Sequence, residues 1–451
     1  MCERHSSVQI IECLSCGQVC RLSVLTAGQS AECPRCRSVL TRYEWFGPRE
    51  SVALCLSALV AFILANVFPL LTLQAQGMLR HTSLLEAVSV TWQQAGMWSV
   101  ALICLITAFI IPLLHVLLLL TSLLMLQRRS VPNAFSLVTR WLHWCSPWSM
   151  APVFLLGVLV SIIKMVGMAR IITGTGLWSM ALFCLLITLL SRIDAHTLWR
   201  WAEAKSGKVA PEEGNSARRL IVCSACRLVQ GVVHKEDSDP TADRRCGQCS
   251  DALHERKSGS ISRTWALMIT GMLFYIPANI MPIMETHTLL NSSAHTILGG
   301  IVELWRGGAV DIAIVVFIAS IAVPLMKFGA LLMLLLTARR CGMSGQKMDM
   351  ATLRDRQAKT RLYHFIEFIG QWSMLDVFVV LLLASMVSFK GVAEVNAGMG
   401  AIAFGLTVVL TMLATMSFDT RLLWDVRRCE NRASNRAGLR TSLTAVRLKR
   451  F

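Results

Sequence analysis

Charge is scarce in this chain. Only 16% of its residues are Asp, Glu, Lys or Arg, and 54% are hydrophobic. A soluble domain would be about a quarter charged, so an ordinary water-soluble protein is excluded. Acidic residues are the scarcer sign, 27 against 44 basic, leaving a net charge of +17. In a soluble chain that excess would suggest nucleic acid. Membrane topology accounts for it here, and nucleic acid is not expected as a partner. No GxxxxGK[ST] phosphate loop occurs, so direct ATP hydrolysis is not expected, nor is the chain expected to be an enzyme. No cleavable signal is read, because the first apolar stretch begins only after Ser51, behind a cysteine-rich segment. Among the 16 cysteines no spacing marks a disulfide framework. Cys2, Cys20, Cys55, Cys104, Cys145, Cys184, Cys341 and Cys429 are scattered, several inside apolar runs, and read as small apolar packers.

What is abundant is apolar sequence in runs of about 20, the length that crosses a bilayer core as a helix. Eight spans are expected, near 52–73, 97–126, 148–169 and 176–191, and again near 264–285, 309–337, 371–389 and 398–417. Arg128, Arg129 and Arg140 follow the second span, and Arg339, Arg340, Lys347, Arg354, Arg356, Lys359 and Arg361 follow the sixth. The opposite loops hold little beyond Arg80, Arg170, Arg306 and Lys390. By the positive-inside rule, both termini and both basic loops face the cytoplasm. The basic tail after Phe418 reads as solvated and disordered.

The chain says the same thing twice. Leu64-Ala65-Asn66-Val67-Phe68-Pro69 lies over Ile276 to Pro282, with Asn66 on Asn279 and Pro69 on Pro282. Ile111-Pro112 lies over Val323-Pro324, Trp148-Ser149-Met150 over Trp372-Ser373-Met374, and Asp194 to Trp199 over Asp419 to Trp424. The offsets run from 212 (Pro112 to Pro324) to 225 (Asp194 to Asp419). Each half holds an even number of spans, so the two enter the membrane in the same direction and the repeat is parallel. The expected architecture is an all-α polytopic membrane protein with two parallel four-helix transmembrane repeats, each preceded by a small cytoplasmic zinc ribbon. The divisions are ribbon 1 at 1–46, repeat 1 at 47–202, a linker at 203–218, ribbon 2 at 219–258, repeat 2 at 259–426 and a basic tail at 427–451.

The ribbons rest on four CxxC pairs. Cys13 and Cys16 are answered by Cys33 and Cys36 after 16 residues (17–32), and Cys223 and Cys226 by Cys246 and Cys249 after 19 (227–245). Two such turns complete a tetrahedral four-sulfur site that suits zinc, one structural ion per ribbon. A redox CxxC is usually single and set between a strand and a helix, which this is not. A module of about 35 residues buries little core, so metal would supply most of its folding energy. With every position filled by cysteine, no site is open to substrate.

Polar residues inside the spans are the other candidates. Asn66 with Pro69, and Asn279 with Pro282, end the first span of each half, and Pro112 and Pro324 interrupt the second. They read as helix breaks, either simple kinks or discontinuous helices lining a cavity. Lys327 and Asp376 have opposite signs and similar depths, about 18 and 13 Å inside by residue count. A network of Ser320, Lys327, Ser373, Asp376 and Thr411 is expected, serving as a proton-responsive or coupling site or as a helix-locking ion pair. In the first half the corresponding positions are His115 for Lys327, Pro152 for Asp376 and Leu186 for Thr411; only Ser373 keeps its counterpart, Ser149. Lys164 sits near the outer end of its span and is expected to snorkel.

These residues resemble the paraquat-inducible protein A family of Gram-negative inner membranes. The likeness is carried by Met1 to His5, both four-cysteine modules, Ile276 to Pro282, Phe317 to Lys327, Gly370 to Asp376 and Phe418 to Trp424. It covers nearly the whole chain before the tail; Gln371 stands where the family pattern has arginine, and Phe274-Tyr275-Ile276 varies a leucine-rich run. The resemblance implies an inner-membrane component that works with a periplasmic tunnel of MCE domains to move membrane lipids and protect the envelope. It admits an outer-membrane lipoprotein as a further partner. The rival readings are a scaffold that anchors the tunnel without transporting, and a redox- or metal-sensing membrane protein.

Overall fold

The computed structural model describes residues 9–22, 25–26, 28–75, 78–93, 98–128, 132–165, 170–206, 219–232, 245–254, 256–257, 259–288, 292–308, 310–343, 350–387, 393–424, 444–445 and 447–450. Most of the expected linker and of the basic tail lie outside the described residues. Ribbon 1 is two hairpins, β1 (Gln9–Glu12) with β2 (Val19–Leu22) and β3 (Gln29–Glu32) with β4 (Val39–Arg42). The first repeat follows as α1 (Pro48–Val67), β5 (Leu71–Ala75), β6 (Met78–Thr82), α2 (Leu84–Gln93), α3 (Trp98–Cys104), a π-helical segment (Leu105–Ile110) and α4 (Ile111–Gln127). It continues with α5 (Ala134–Cys145), α6 (Ala151–Met165), β7 (Arg170–Thr173), α7 (Thr175–Leu190) and α8 (Ala195–Ser206). Ribbon 2 contains the hairpin β8 (Arg219–Val222) and β9 (Val229–Val232), and an isolated bridge from Arg245 to Ala252.

The second repeat has the same order of elements. It runs α9 (Ser260–Ile280), β10 (Met284–Thr288), β11 (Ser292–His295), α10 (Ile297–Arg306), α11 (Val310–Phe317), a π segment (Ile318–Ala322) and α12 (Val323–Met343). Then come α13 (Met350–Trp372), α14 (Leu375–Val387), β12 (Ala393–Ala397) and α15 (Met399–Ser417). The end of the tail is not free. β13 (Thr444–Ala445) joins β2, and β14 (Arg447–Arg450) pairs antiparallel with β3, so ribbon 1 gains a strand on each hairpin. This corrects the expectation of a solvated tail for those residues.

Five helices among the described residues are long and apolar enough to cross a membrane: Pro48–Val67, Trp98–Gln127, Ala134–Ile163, Ala313–Arg339 and Met399–Ser417. Thr175–Leu190 with Ala195–Lys205, bent by 57°, makes a sixth if counted as one span. The expected spans at 264–285 and 371–389 do not meet the same test. Arg263, Pro277 and Asn279 dilute the apolar character of α9, and a break before Leu375 leaves α14 only 13 residues long. The first and fifth spans were also expected to run past their helices. Leu71–Ala75 and Met284–Thr288 are strands instead.

Those strands form two matching three-stranded sheets at the helix ends away from the ribbons, in order β6-β5-β7 and β11-β10-β12. Within each half the first and last helices pack closely together, α1 on α7 and α9 on α15. The reason is side-chain size. On α1 the inward stripe is Ser51, Cys55, Ala58, Ala61, Phe62 and Ala65, nearly all small, while Leu56, Val60, Ile63 and Val67 are exposed. Small residues inward and large apolar residues outward is the membrane arrangement, because lipid solvates the large ones. Exposed tryptophans stand near both ends of the bundle, Trp45, Trp141 and Trp144 towards the ribbons and Trp92, Trp98 and Trp178 towards the sheets, as expected at the two interfaces.

The halves meet where α6 packs on α14. Phe154 and Phe378 occupy equivalent positions (378 − 224 = 154) and touch edge to face, 5.5 Å apart.

The turns after α1 and α9 are equally tight. A Cβ on Gly174 would stand 2.0 Å from the Pro69 carbonyl oxygen, and one on Gly398 would stand 2.2 Å from that of Pro282. Both obstacles are backbone, so neither can yield cheaply. Gly174→Ala and Gly398→Ala are each expected to cost about 1–3 kcal/mol and to lower the melting temperature of the detergent-purified protein. Gly405→Ala, with nothing within 4 Å of the new carbon, should leave it unchanged. Equal melting for all three variants would refute this account of the turns.

Candidate functional site

All four knuckles are built alike. The first cysteine's N–H donates to the carbonyl five residues on: Cys13 to Gln18, Cys33 to Ser38, Cys223 to Leu228 and Cys246 to Asp251, at 2.8–3.0 Å. The residue after the second cysteine returns its N–H to the first cysteine's carbonyl, and it has a left-handed backbone each time: Gly17, Arg37, Arg227 and Ser250, at φ of 57–72°. Only one of the four is glycine. The other three carry the roughly 1–2 kcal/mol cost of that conformation, which persists only where the surroundings enforce it.

The knuckles converge into two four-sulfur clusters, Cys13, Cys16, Cys33 and Cys36, and Cys223, Cys226, Cys246 and Cys249, each with all ligand atoms within 4.8 Å of one another. Four contacts are 3.4 Å (Cys13 to Cys36), 3.6 Å (Cys16 to Cys33), 3.4 Å (Cys223 to Cys249) and 3.5 Å (Cys226 to Cys246). A tetrahedral ion with bonds of about 2.3 Å needs sulfurs roughly 3.8 Å apart, so the residues fit a metal closely. All eight are buried. Hydrogen bonding, above all with Cys16, draws the Cys13 thiol down to about 7, towards the thiolate that binds metal. The surroundings differ: Ser38 Oγ contacts Cys13 and Cys36 Sγ at 3.1 and 2.9 Å in ribbon 1, where ribbon 2 has Asp251. Gln230 donates to Cys246 Sγ at 3.2 Å, whereas the matching position of ribbon 1 is Cys20, also buried.

Each ribbon rests on the helices of the other half. Ribbon 1 holds Arg421 through Glu12 at 3.3 Å and through the Leu14 carbonyl at 3.2 Å. Gln357 of α13 donates to the Arg35 carbonyl at 2.7 Å, and the Arg35 guanidinium lies 5.0 Å over Trp424. The cysteine core of ribbon 1 is continuous with Met268, Phe328, Leu331, Tyr363 and Trp424. Ribbon 2 instead meets repeat 1: Gln248 donates to Glu203 at 2.6 Å, Arg227 faces Asp194 at 3.9 Å, and Trp199 packs against its cysteine core. The ribbons also touch each other, Arg227 donating to the Leu40 carbonyl at 3.1 Å. No sequence signal marked this exchange. Burial raises the Glu12 carboxyl above its ordinary range, and Arg421 opposes the shift.

The second candidate group lies at the break between α13 and α14. Lys327 is fully buried, and its Nζ donates to Ser373 Oγ at 2.8 Å, to the Gly370 carbonyl at 3.2 Å and to Thr411 Oγ1 at 3.4 Å. The structure thus brings together Lys327 of α12, Ser373 of the break after α13 and Thr411 of α15, and adds the Gly370 carbonyl, which no side-chain pattern could reveal. Ser320 is buried in the π segment one helical stretch before Lys327. The Asp376 side chain lies outside the described residues.

The expected helix breaks resolve into two devices. Asn66 and Asn279 each donate Nδ2 to the carbonyl four residues earlier, Phe62 and Tyr275, at 2.8 Å. The helices end one residue later, at Val67 and Ile280, and Pro69 and Pro282 lie beyond them in the turn to the sheet. They are terminators, not kinks within a span. Pro112 and Pro324 follow directly on the π segments, where Ile111 donates to the Ile106 carbonyl and Val323 to that of Ile318, both five residues back.

Two measurements test these sites. The purified chain should carry two equivalents of metal, and Cys226→Ser should carry one; two equivalents in the variant would refute the assignment. Arg421→Ala removes the cation in contact with Glu12 and leaves Arg256 as the remaining one nearby; breaking a largely buried pair is destabilising. It should expose the 1–46 segment to limited proteolysis; unchanged cleavage would show that the pair does not hold the ribbon.

A family profile for paraquat-inducible protein A matches residues 49–203 and 261–428, the two helical repeats in turn. The chain is 33% identical to the intermembrane transport protein PqiA of Escherichia coli (strain K12), over 94% of this chain and 98% of that protein. It is 28% identical to a probable intermembrane transport protein of Haemophilus influenzae, over 93% and 96%. It is also 28% identical to the lipophilic envelope-spanning tunnel protein A of Escherichia coli (strain K12), over 93% and 92%. No solved structure matches significantly. With both repeats matched and relatives aligned along nearly their full length, this multi-pass membrane chain belongs to the paraquat-inducible protein A family.

Proposed function

We propose that the chain is the inner-membrane component of an intermembrane lipid-transport system, delivering or receiving phospholipid at the mouth of a periplasmic MCE-domain tunnel. The observation that carries this reading is its end-to-end similarity to proteins named for intermembrane transport. The ribbons touch each other through Arg227 and the Leu40 carbonyl, which agrees with cytoplasmic placement of both, and the basic loops favour that side by the positive-inside rule. Zinc is the ion of both clusters, since four thiolates in a closed tetrahedral set favour it. It stabilises the ribbons and takes no part in chemistry, because no coordination position is left for a ligand.

Lys327 supplies the responsive element. An ammonium buried in a bundle is expensive, and here three neutral oxygens satisfy its donors. Protonation of Asp376 would change the electrostatics of that group, and so the packing of α12, α13 and α15 around it. The outer-membrane lipoprotein and the envelope-protection role belong to the same reading.

The test is purification of the tagged chain with its neighbours, followed by mass spectrometry for bound phospholipid and for the tunnel protein. Both should be recovered. Lys327→Ala and Asp376→Asn should keep the complex assembled and abolish envelope protection. Full protection by both variants would leave an anchoring scaffold as the better reading.

A further inference from the structure

A cavity of about 200 Å³ lies where three bodies meet. Ribbon 2 contributes Ser224 and Arg227, ribbon 1 contributes Leu14, and repeat 1 contributes His115, His143, Ser146, Asp194 and His196. A single water needs roughly 10–15 Å³ of such space, so the cavity has room for a group of several atoms.

His115 makes this cavity unusual. Its side chain is 3% exposed, and neither ring nitrogen has a hydrogen-bond partner among the described residues. A buried polar group left unpaired costs about 1–3 kcal/mol, and such a group in a native structure calls for a partner, whether a water, an ion or a bound group. The repeat gives the comparison. His115 stands where the second half has Lys327 (327 − 212), and Ser149 stands where it has Ser373 (373 − 224). In the second half the two are bonded to each other at 2.8 Å. In the first half the Ser149 hydroxyl is also buried with no partner among the described residues. Among the described residues at this level, the unpaired polar atoms are thus those of the first-half copy.

The lining is rich in hydrogen-bonding groups. One guanidinium, Arg227, faces one carboxylate, Asp194, and three imidazoles with the Ser146 and Ser224 hydroxyls add donors without net charge. That carboxylate is turned to Arg227 at 3.9 Å and its side chain is 57% exposed, at the mouth. Arg227 spends a second donor on the Leu40 carbonyl; a guanidinium has five, and those remaining suit a phosphate. A metal ion is the poorer fit. The three imidazoles and Asp194 do not form a converged ligand group among the described residues, where the two cysteine clusters do.

We propose that this cavity binds a phosphate-bearing group, with His115 at its floor and Arg227 at its mouth. The site rests on the cavity and not on the transport reading. Its chemistry would suit either free phosphate or the headgroup of a phospholipid entering from the adjoining bilayer surface.

The experiment uses the full chain, purified in detergent with both cysteine clusters metal-loaded. It is titrated separately with inorganic phosphate, with dihexanoyl phosphatidylglycerol, and with dihexanoylglycerol, which lacks the phosphate. Binding is read by calorimetry and by hydrogen exchange over 193–198 and 222–228. Saturable binding of at least one phosphate probe is expected, with protection of both segments. His115→Leu should weaken it at least tenfold, and His115→Gln, which keeps a donor, should weaken it less. Binding of both phosphate probes assigns a free phosphate site, and binding of the lipid alone assigns a headgroup site. The proposal is overturned if neither phosphate probe protects the segments, if dihexanoylglycerol does so equally, or if His115→Leu titrates like the parent. A third metal equivalent that His115→Leu abolishes would overturn it in favour of a cation. Should His115→Leu fail to fold, the exchange pattern of the parent protein with and without each probe decides alone. Because the isolated chain is used, failure here leaves the co-purification test of transport untouched.

Discussion

Inside a bilayer no water is available to satisfy a backbone N–H or C=O, and each polar group must find its partner within the protein. Much of this structure follows from that constraint. Pro112 and Pro324 each delete a backbone donor in the second span of a half, and a π segment precedes each one, carrying the chain past the gap with five-residue hydrogen bonds. Asn66 and Asn279 add a side-chain donor to a carbonyl in the last turn of a helix, those of Phe62 and Tyr275, just before the proline turn. Hydroxyls do the same throughout: Thr107 bonds the Ile103 carbonyl, Ser161 that of Gly157, and Thr407 that of Ala403. Strands appear only where the helices have ended, because an open sheet edge is tolerable only outside the hydrocarbon.

The same constraint explains which parts were legible in the sequence. The cysteine clusters were readable because a knuckle is local, five or six residues that impose their own geometry whatever surrounds them. Lys327, Ser373 and Thr411 were readable because a polar residue in an apolar run must find company, and similar depths limit the choice. The outer sheets were not readable. Leu71-Thr72-Leu73-Gln74-Ala75 continues the apolar character of α1, and only the proline before it and the glycines that pack against the turn show where helix gives way to strand. Nor could the short α14 be foreseen, since the apolar run at 371–389 conceals the break between Trp372 and Leu375 that lets Ser373 and the Gly370 carbonyl face Lys327.

The exchange of ribbons between halves belongs to a further class, contacts that no local pattern encodes. Its consequence is mechanical. A ribbon placed on its own repeat would leave the halves joined chiefly through α6, α14 and their neighbours. Crossed over, each cysteine-cluster module ties the end of one half to the other, and the two modules also hold each other through Arg227 and the Leu40 carbonyl. The strands at the end of the chain add to ribbon 1 as well. The four-sulfur clusters are thus placed where an ion held by them would stiffen the joint between repeats and not merely fold an appendage.

Duplication therefore yields two halves with one skeleton and different polar interiors. The parts kept twice, the knuckles, asparagine terminators, π segments and glycine turns, are those that satisfy backbone geometry, which any copy of the fold must do. What diverged is side-chain chemistry at the matching level of the bundle. In the second half a lysine is enclosed by oxygens from α13 and α15. In the first a histidine is left facing a cavity beneath the ribbons. A skeleton that carries its own backbone requirements frees those interior positions to differ, and Lys327 against His115 is the position where the chemistry of the two repeats diverges.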